Sequence, residues 1–365
     1  MSDDVHGGQS LEEINDTYYS RGATDGLPIV PPTEERLDEM LTGTDLPRDH
    51  VLGHLGDESR PLSVEKLATN AIMAGCLPTH MPVLVAGAKA LADPASNSMT
   101  FSVSTTGWAY MWTLNGPIRN DIDVQCGSGA YGPGFRPNRV IGRALGLAYK
   151  NTAKIHPGEK DMATFGNPFK FSLVAGENEE QSPWEPYHVS EGYDADESTI
   201  TLAGPSCFIT WTPYRNEARY ILEGMVDHMD PYMTAAGKHT VWHLICPYSA
   251  EQLGNAGLSK ADVQRYVSEN SYVPREKYAR GKYQDRYLDR IDGGDVPSRQ
   301  LSLAPDPENL KILSLGGAGT VNAIVGPSIG GPVTERIELP DNWAQLTERY
   351  RTERNWVDAS NFYDH

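Results

Sequence analysis

The residues best suited to chemistry lie between 177 and 188: Glu177-Asn178-Glu179-Glu180, then Ser182-Pro183-Trp184-Glu185-Pro186, then His188. They follow the apolar run 171–175, whose composition predicts a strand. Sites of α/β proteins gather outside the carboxyl ends of strands. Neighbouring carboxylates raise one another's pKa and so divide into an acid and a base. That reading makes Glu177 and Glu179 catalytic. The same oxygens suit a hard divalent cation, with Glu177, Glu179 and His188 as ligands. The plain alternative is a solvated acidic loop.

A second constellation is the loop Cys126-Gly127-Ser128-Gly129-Ala130-Tyr131-Gly132-Pro133-Gly134, ahead of an amphipathic helix that opens near Pro137. Glycines let a ligand approach the backbone, and amides ahead of a helix attract anions. Gly127, Ser128 and Gly129, with Arg136 and Arg139 beside them, suit a carboxylate or phosphate. The pattern is neither a Walker loop nor a dinucleotide fingerprint, so no nucleotide cofactor is evident. Cys126 opens this loop, and a nearby Arg would lower its thiol pKa, which makes it a candidate nucleophile. Cys76, at a predicted helix C-terminus, reads as a buried core thiol. A turn between strand and helix is the structural reading of the loop.

Gly316-Gly317-Ala318-Gly319-Thr320 follows the predicted strand 311–315 and offers Gly317 to a substrate, or serves as a turn. His156 and Asp161 flank a polar loop that leads to Asn167 and Lys170, with Asp161 as a further acid/base candidate and Lys170 as a substrate contact. Asn115, in the turn Asn115-Gly116-Pro117, is another substrate contact. Trp108, Trp112 and Trp184 would wall the pocket. His239 and His243 share a strand face about 13 Å apart, too far for one metal.

The elements that must position these groups follow from periodicity. Helices are predicted at Leu11–Ser20, at Glu34–Leu41 capped by Thr33, from Ser63 up to Pro78, at Met81–Leu91, 137–151, 213–228, 249–253, at 260–269 capped by Ser259, and at 342–351. Strands are predicted at 101–105, 109–114, 171–175, 199–202, 240–245 and 311–315. Strands alternating with helices give an α/β fold with a mixed, partly parallel sheet and long Gly/Pro-rich functional loops. The order divides the chain into an N-terminal helical arm (1–24), an α/β domain with the Gly-rich and acidic loops (25–205), a second α/β half packed on it (206–335), and a C-terminal helix and tail (336–365). No internal repeat is visible in the sequence.

Composition narrows the function class. The 365 residues carry 31 Lys plus Arg against 49 Asp plus Glu, a net charge of −18. An acidic surface disfavours nucleic acid and anionic membranes as partners. No apolar stretch approaches the roughly 20 residues that span a bilayer. The acidic N-terminus has no signal-peptide pattern and the four cysteines form no C-x-x-C pair, so a cytoplasmic location with free thiols is expected. Apolar helices at 64–91 and the Trp- and Met-rich 109–114 lead us to expect a homodimer or higher homo-oligomer.

Several segments together resemble a mostly uncharacterised bacterial family: DGLPIVPPTEERLDEML (25–41), VEKLATNAIMAGCLPTHMPVLVAGAKAL (64–91), NGPI (115–118), GPGFRPNRVIGRAL (132–145), PGEKDMATFGNPFKFS (157–172), ENEEQSPWEPYHV (177–189) and LGGAGTVNAIVGPS (315–328). The resemblance spans about residues 25–330 and implies a unit rather than a reaction. Members are sometimes called thiol–disulfide or thioredoxin-like proteins, and nothing in this chain supports that label. The family pattern has a His after the strand near Pro247, where this chain has Tyr248 and Ser249, so no His mechanism carries over there.

The residues themselves predict an enzyme acting on a small, polar, anionic molecule by proton transfer, as a lyase, hydratase or hydrolase, with a divalent metal as an open option. A thiol enzyme using Cys126 and a non-catalytic binding or scaffold subunit are the alternatives.

Overall fold

Side-chain caps set several of the helix starts. The computed structural model describes residues 9–57, 59–101, 103–229, 239–274, 300–304 and 306–351. Ser10 caps α1 (Leu11–Ser20) and Thr33 caps α2 (Glu34–Leu41). The hairpin β1 (Val51–Leu55) and β2 (Arg60–Ser63) runs straight into α3 (Val64–Ala74), where Ser63 accepts from the Lys66 amide. Gly75, in the left-handed region, ends α3 before Pro78 is reached. Next is α4 (Met81–Ala92), apolar all round and almost wholly buried, as its composition requires.

Two four-stranded mixed sheets follow. The first has β3 (Met111–Asn115), β4 (Leu173–Gly176) and β5 (Thr199–Ala203); the second has β6 (Pro205–Trp211), β7 (Thr240–Ile245), β10 (Leu310–Ser314) and β11 (Asn322–Ser328). The final strand, β12 (Val333–Arg336), returns to the first sheet, giving the order β12-β5-β3-β4 against β6-β11-β7-β10. The directions match as well. Each sheet ends in one parallel pair, β3/β4 or β7/β10, and its other pairings are antiparallel.

The chain therefore holds two halves of one topology that exchange their last strands: β6 leaves β5 for the second sheet, and β12 leaves β11 for the first. The two crossings are bonded to each other. The Gly204 amide donates to Gly330 O at 3.0 Å, and the Ile329 amide donates to Gly204 O at 3.1 Å. A Cβ on Gly204 would lie 1.9 Å from the Phe101 ring, and one on Gly330 would lie 1.8 Å from Ser96 O, so the crossing is too tight for side chains. The repeat is one of topology, which the sequence does not display. The expected division at 205/206 falls in this crossing.

Alternation along each strand sorts the core into layers. Trp112, Leu114, Val174 and Ile200 face α3, α4 and α7 (Arg136–Ala153). Val241, Ile245, Ile312 and Ile324 face α9 (Ala218–Asp227), α10 (Pro247–Asn255) and α11 (Lys260–Asn270). Met111, Leu173 and Ala175 meet Trp242, Leu244 and Leu313 between the sheets. The result is an α/β fold of helix, sheet, sheet and helix layers. Three one-turn helices matter later: α5 (Ser98–Phe101), α6 (Ile118–Asp121) and α8 (Tyr187–Ser190). A last helix, α12 (Trp343–Arg349), closes the described chain.

Some expected elements differ. Of the strand expected over 101–105, the described residues 101 and 103–105 form none: Asn97 in the left-handed region opens a helical turn at Ser98–Phe101, and Thr100 donates to the Asn97 side chain at 2.6 Å. The helix expected over 213–228 begins at Ala218, because β6 runs on to Trp211. Of the polar stretch at 271–290, residues 272–274 form β8 (Tyr272–Pro274), paired with β9 (Gln300–Ser302); 275–299 and the tail from 352 lie outside the described residues. Among the described residues no helix is long and apolar enough to cross a membrane.

Candidate functional site

The carboxyl ends of the two parallel pairs meet. After β4, the Glu177 amide donates to Leu114 O at 3.0 Å and the Asn178 amide crosses to Ser314 O, at the end of β10, at 2.8 Å. The segment Gln125–Cys126 bridges the same ends: Gln125 O accepts from the Gly176 amide at 3.2 Å and Cys126 O accepts from the Gly316 amide at 2.8 Å. A Cβ on Gly317 would lie 1.7 Å from Ser128 Oγ, so the two glycine-rich loops touch. Asn115, Cys126, Ser128, Glu177, Glu179 and Gly317 therefore converge at one junction, with Gly127 and Gly129 on the adjoining loop.

Asn115 organises the junction. Its Nδ2 donates to Glu177 Oε2 at 2.6 Å and to Glu179 Oε1 at 2.9 Å. Glu177 is wholly buried and also accepts from the Tyr187 amide at 2.6 Å, while Lys260 Nζ stands 3.4 Å from its Oε1. Lys260 is the first residue of α11, where the helix dipole disfavours a cation. The buried carboxylate compensates it. Glu179 also accepts from the Gly116 amide at 2.9 Å and pairs with Arg119 at 2.8 Å. Gly116 has φ of +80°, and a Cβ there would sit 2.1 Å from Glu197 O, so only glycine can present this amide.

Arg119 and Lys260 are the members that sequence reading missed. Arg119, on the one-turn α6, is 2 % exposed; its Nη1 donates to Glu177 O at 2.6 Å, and it also pairs with Glu180 at 3.0 Å. The hydrogen bond from Arg119 holds the Glu180 carboxyl below the usual range. The only sequence signal for Arg119 was its place just after the turn 115–117. Lys260 is distant in sequence and carried no signal.

Both oxygens of Glu177 and both of Glu179 have donors, and Asn115 Nδ2 gives a hydrogen to each carboxylate. Asn115 Oδ1, on a residue with no exposed surface, has no hydrogen-bond partner among the described residues. A flipped amide would aim that oxygen at two carboxylates, so the orientation is fixed by electrostatics. A buried acceptor left without a donor costs about 1–3 kcal/mol.

Other expectations do not assemble. Arg136 donates to Gly75 O at 3.1 and 2.8 Å and so caps the end of α3 rather than holding an anion. Arg139 lies on main-chain carbonyls, among them Tyr131 O at 3.2 Å and Ser172 O at 3.3 Å. Burial pushes the Cys126 thiol up, outweighing the pull of Arg119, so the lowered thiol pKa is not realised. His188 is wholly buried, and neither ring nitrogen has a partner among the described residues. No group of three or more His, Cys, Asp or Glu among the described residues is arranged to hold a metal ion, so Glu177, Glu179 and His188 form no such set. Trp184 packs against the second helical layer and donates to Leu258 O at 2.8 Å. Trp112 is in the core of the first layer.

Trp108, Asp161 and Lys170 sit elsewhere together. They line a cavity of about 760 Å³ at the amino ends of β3 and β4, the opposite ends from Glu177. Asp161 and Lys170 form an ion pair there. The polar loop at 155–171 is thus a cavity wall.

No protein-family model, curated protein or solved structure matches this chain.

Proposed function

We propose that the chain is an enzyme that moves a proton on a small polar molecule at the junction of the two sheets. The observation that carries this is the Asn115 amide: it bridges two carboxylates while its own buried oxygen lacks a donor among the described residues. A substrate hydroxyl or amine donating to Asn115 Oδ1 would lie beside Glu177 and Glu179. Paired carboxylates in unlike surroundings divide acid from base. Glu177 is buried against Lys260, whereas Glu179 is 13 % exposed and faces Arg119, so their surroundings do differ. The five ionic groups of the cluster, Glu177, Glu179, Glu180, Arg119 and Lys260, sum to −1. With Arg136 and Arg139 engaged elsewhere, a neutral polar substrate fits this junction better than an anion. A lyase, hydratase or hydrolase reaction fits this set.

Cys126 supports a second reading, because its backbone bridges the same strand ends and its side chain lies beside Arg119. One experiment separates them. The protein is incubated in D₂O with a panel of small neutral hydroxy amides, amides and polyols and followed by proton NMR. Proton-transfer chemistry predicts deuterium incorporation, elimination or hydrolysis of at least one compound, retained in Cys126→Ser. Loss of that turnover in Cys126→Ser with intact folding assigns the reaction to the thiol instead. No change in any compound contradicts the proposal.

A further inference from the structure

The cavity at the amino ends of β3 and β4 has a chemistry of its own, independent of the junction. Its volume of about 760 Å³ lies within the roughly 300–1,000 Å³ of small-molecule sites. One wall is aromatic: Phe101 stacks on Tyr110 with centroids 4.5 Å apart, and Tyr149 meets Tyr110 edge-on at 5.6 Å. Trp108 extends that wall, its ring nitrogen donating to Ser104 Oγ at 3.0 Å. At the rim, Phe165 is 99 % exposed and Phe171 is 46 % exposed. An aromatic side chain wholly in water beside a cavity is a poor arrangement for the empty protein and a good one for covering an apolar guest.

The charges in the lining are not balanced. Arg143, Lys150 and Lys170 stand against Asp25 and Asp161. Arg143 grips Asp25 with two bonds, at 2.7 and 2.9 Å, and Lys170 pairs with Asp161. Lys150 donates to a main-chain carbonyl, Gly22 O, and the one charge that favours its ammonium, Asp25, is already gripped by Arg143. A positive excess in a chain of net charge −18 is local and specific. The wall is also preformed. Asn167 donates to Gly107 O at 2.7 Å and to Ser206 O at 3.1 Å, and the Thr164 amide donates to Thr105 O at 3.0 Å.

We infer that this cavity binds a planar aromatic carboxylate, its ring against Trp108 and Tyr110 and its carboxylate at Lys150. Burial also lowers the Lys150 pKa, so the ammonium gains from an anion beside it. The site is separate from Glu177 and does not depend on the reaction proposed there.

The test is titration of the full chain with 2-naphthoate, read by tryptophan fluorescence and calorimetry. Saturable binding is expected, weakened at least tenfold in Lys150→Met and kept within about threefold in Lys150→Arg, which retains the charge. The neutral analogue 2-naphthamide should bind at least tenfold more weakly than 2-naphthoate. Cys126→Ser should leave the affinity unchanged, which separates this cavity from the junction. Circular dichroism checks that each variant is folded; if Lys150→Met is not, the Lys150→Arg and naphthamide arms decide. No saturation by millimolar 2-naphthoate, equal affinity for the amide, or full affinity in a folded Lys150→Met variant would overturn the inference.

Discussion

Asn115 Nδ2 lies 2.6 Å from Glu177 Oε2, across the carboxyl ends of the parallel strands β3 and β4, and neither residue has exposed surface. Taking a carboxylate out of water costs several kcal/mol unless charge and hydrogen bonds replace the solvent. Here Asn115, the Tyr187 amide and Lys260 do so. Lys260 belongs to the second half of the chain and Glu177 to the first, so the pair also ties the halves together.

Lys260→Met should therefore lower stability by about 3–5 kcal/mol, because it leaves a buried charge without its counterion. Glu177→Gln in the same chain should recover part of that loss. Urea unfolding of the two singles and the double gives the coupling. A loss below about 1 kcal/mol in Lys260→Met would show that Asn115 and the Tyr187 amide suffice.

The strand exchange makes a second prediction. Gly330→Ala places a methyl 1.8 Å from a main-chain oxygen, whereas Gly204→Ala meets a ring that can shift. Both should destabilise, Gly330→Ala by more than about 2 kcal/mol and by more than Gly204→Ala. Equal thermal midpoints for wild type and Gly330→Ala would mean that the crossing is looser than described.

Much of this architecture was legible locally. Ser63 and Ser259 announce their helices because a side-chain oxygen ahead of an apolar period has one use. Strands β7 and β10 read as apolar runs because both faces are covered. Strands β6, β11 and β12 were not read. Pro205, Pro327 and nearby glycines look like punctuation, yet they mark the crossing of two chain segments. Likewise the acidic loop was visible, but Arg119 and Lys260 were not. Their roles arise from pairing at sequence separations of 60 and more, which no local pattern encodes.

Acid should weaken the fold through two histidines. Burial depresses both His80 and His243 from 6.5 to about 3. In His80, Nδ1 accepts from the Leu77 amide at 3.1 Å, which requires that nitrogen to be unprotonated. The unfolded chain takes up these protons below about 6.5 while the folded one does not until about 3. Stability is thus complete above pH 6.5 and falls as pH drops through that window, by up to about 1.4 kcal/mol per unit per histidine. Denaturant unfolding between pH 7 and 5 should show the slope, and His243→Leu should reduce it. An unchanged slope in that variant would place the loss elsewhere.

Thiol reactivity should follow burial. Cys76 is buried, with its Sγ 3.4 Å from Val140 O, whereas Cys126 is only partly covered. Native alkylation should modify Cys126 well before Cys76. Cys126→Ser should fold normally, and Cys76→Ala should cost on the order of 1–2 kcal/mol. Rapid labelling of Cys76 in the native protein would contradict this packing.

The most direct test of the junction as a reacting centre is the turnover number of Glu179→Gln on whichever compound of the D₂O panel the wild type transforms. Glu179 lies on the partly open side of the cluster, and its amide replacement keeps shape while removing the charge and the proton site. A fall of at least about 100-fold, with the circular dichroism spectrum unchanged, is the expected result. Turnover within about threefold of wild type would mean that the acidic loop only braces the two sheets.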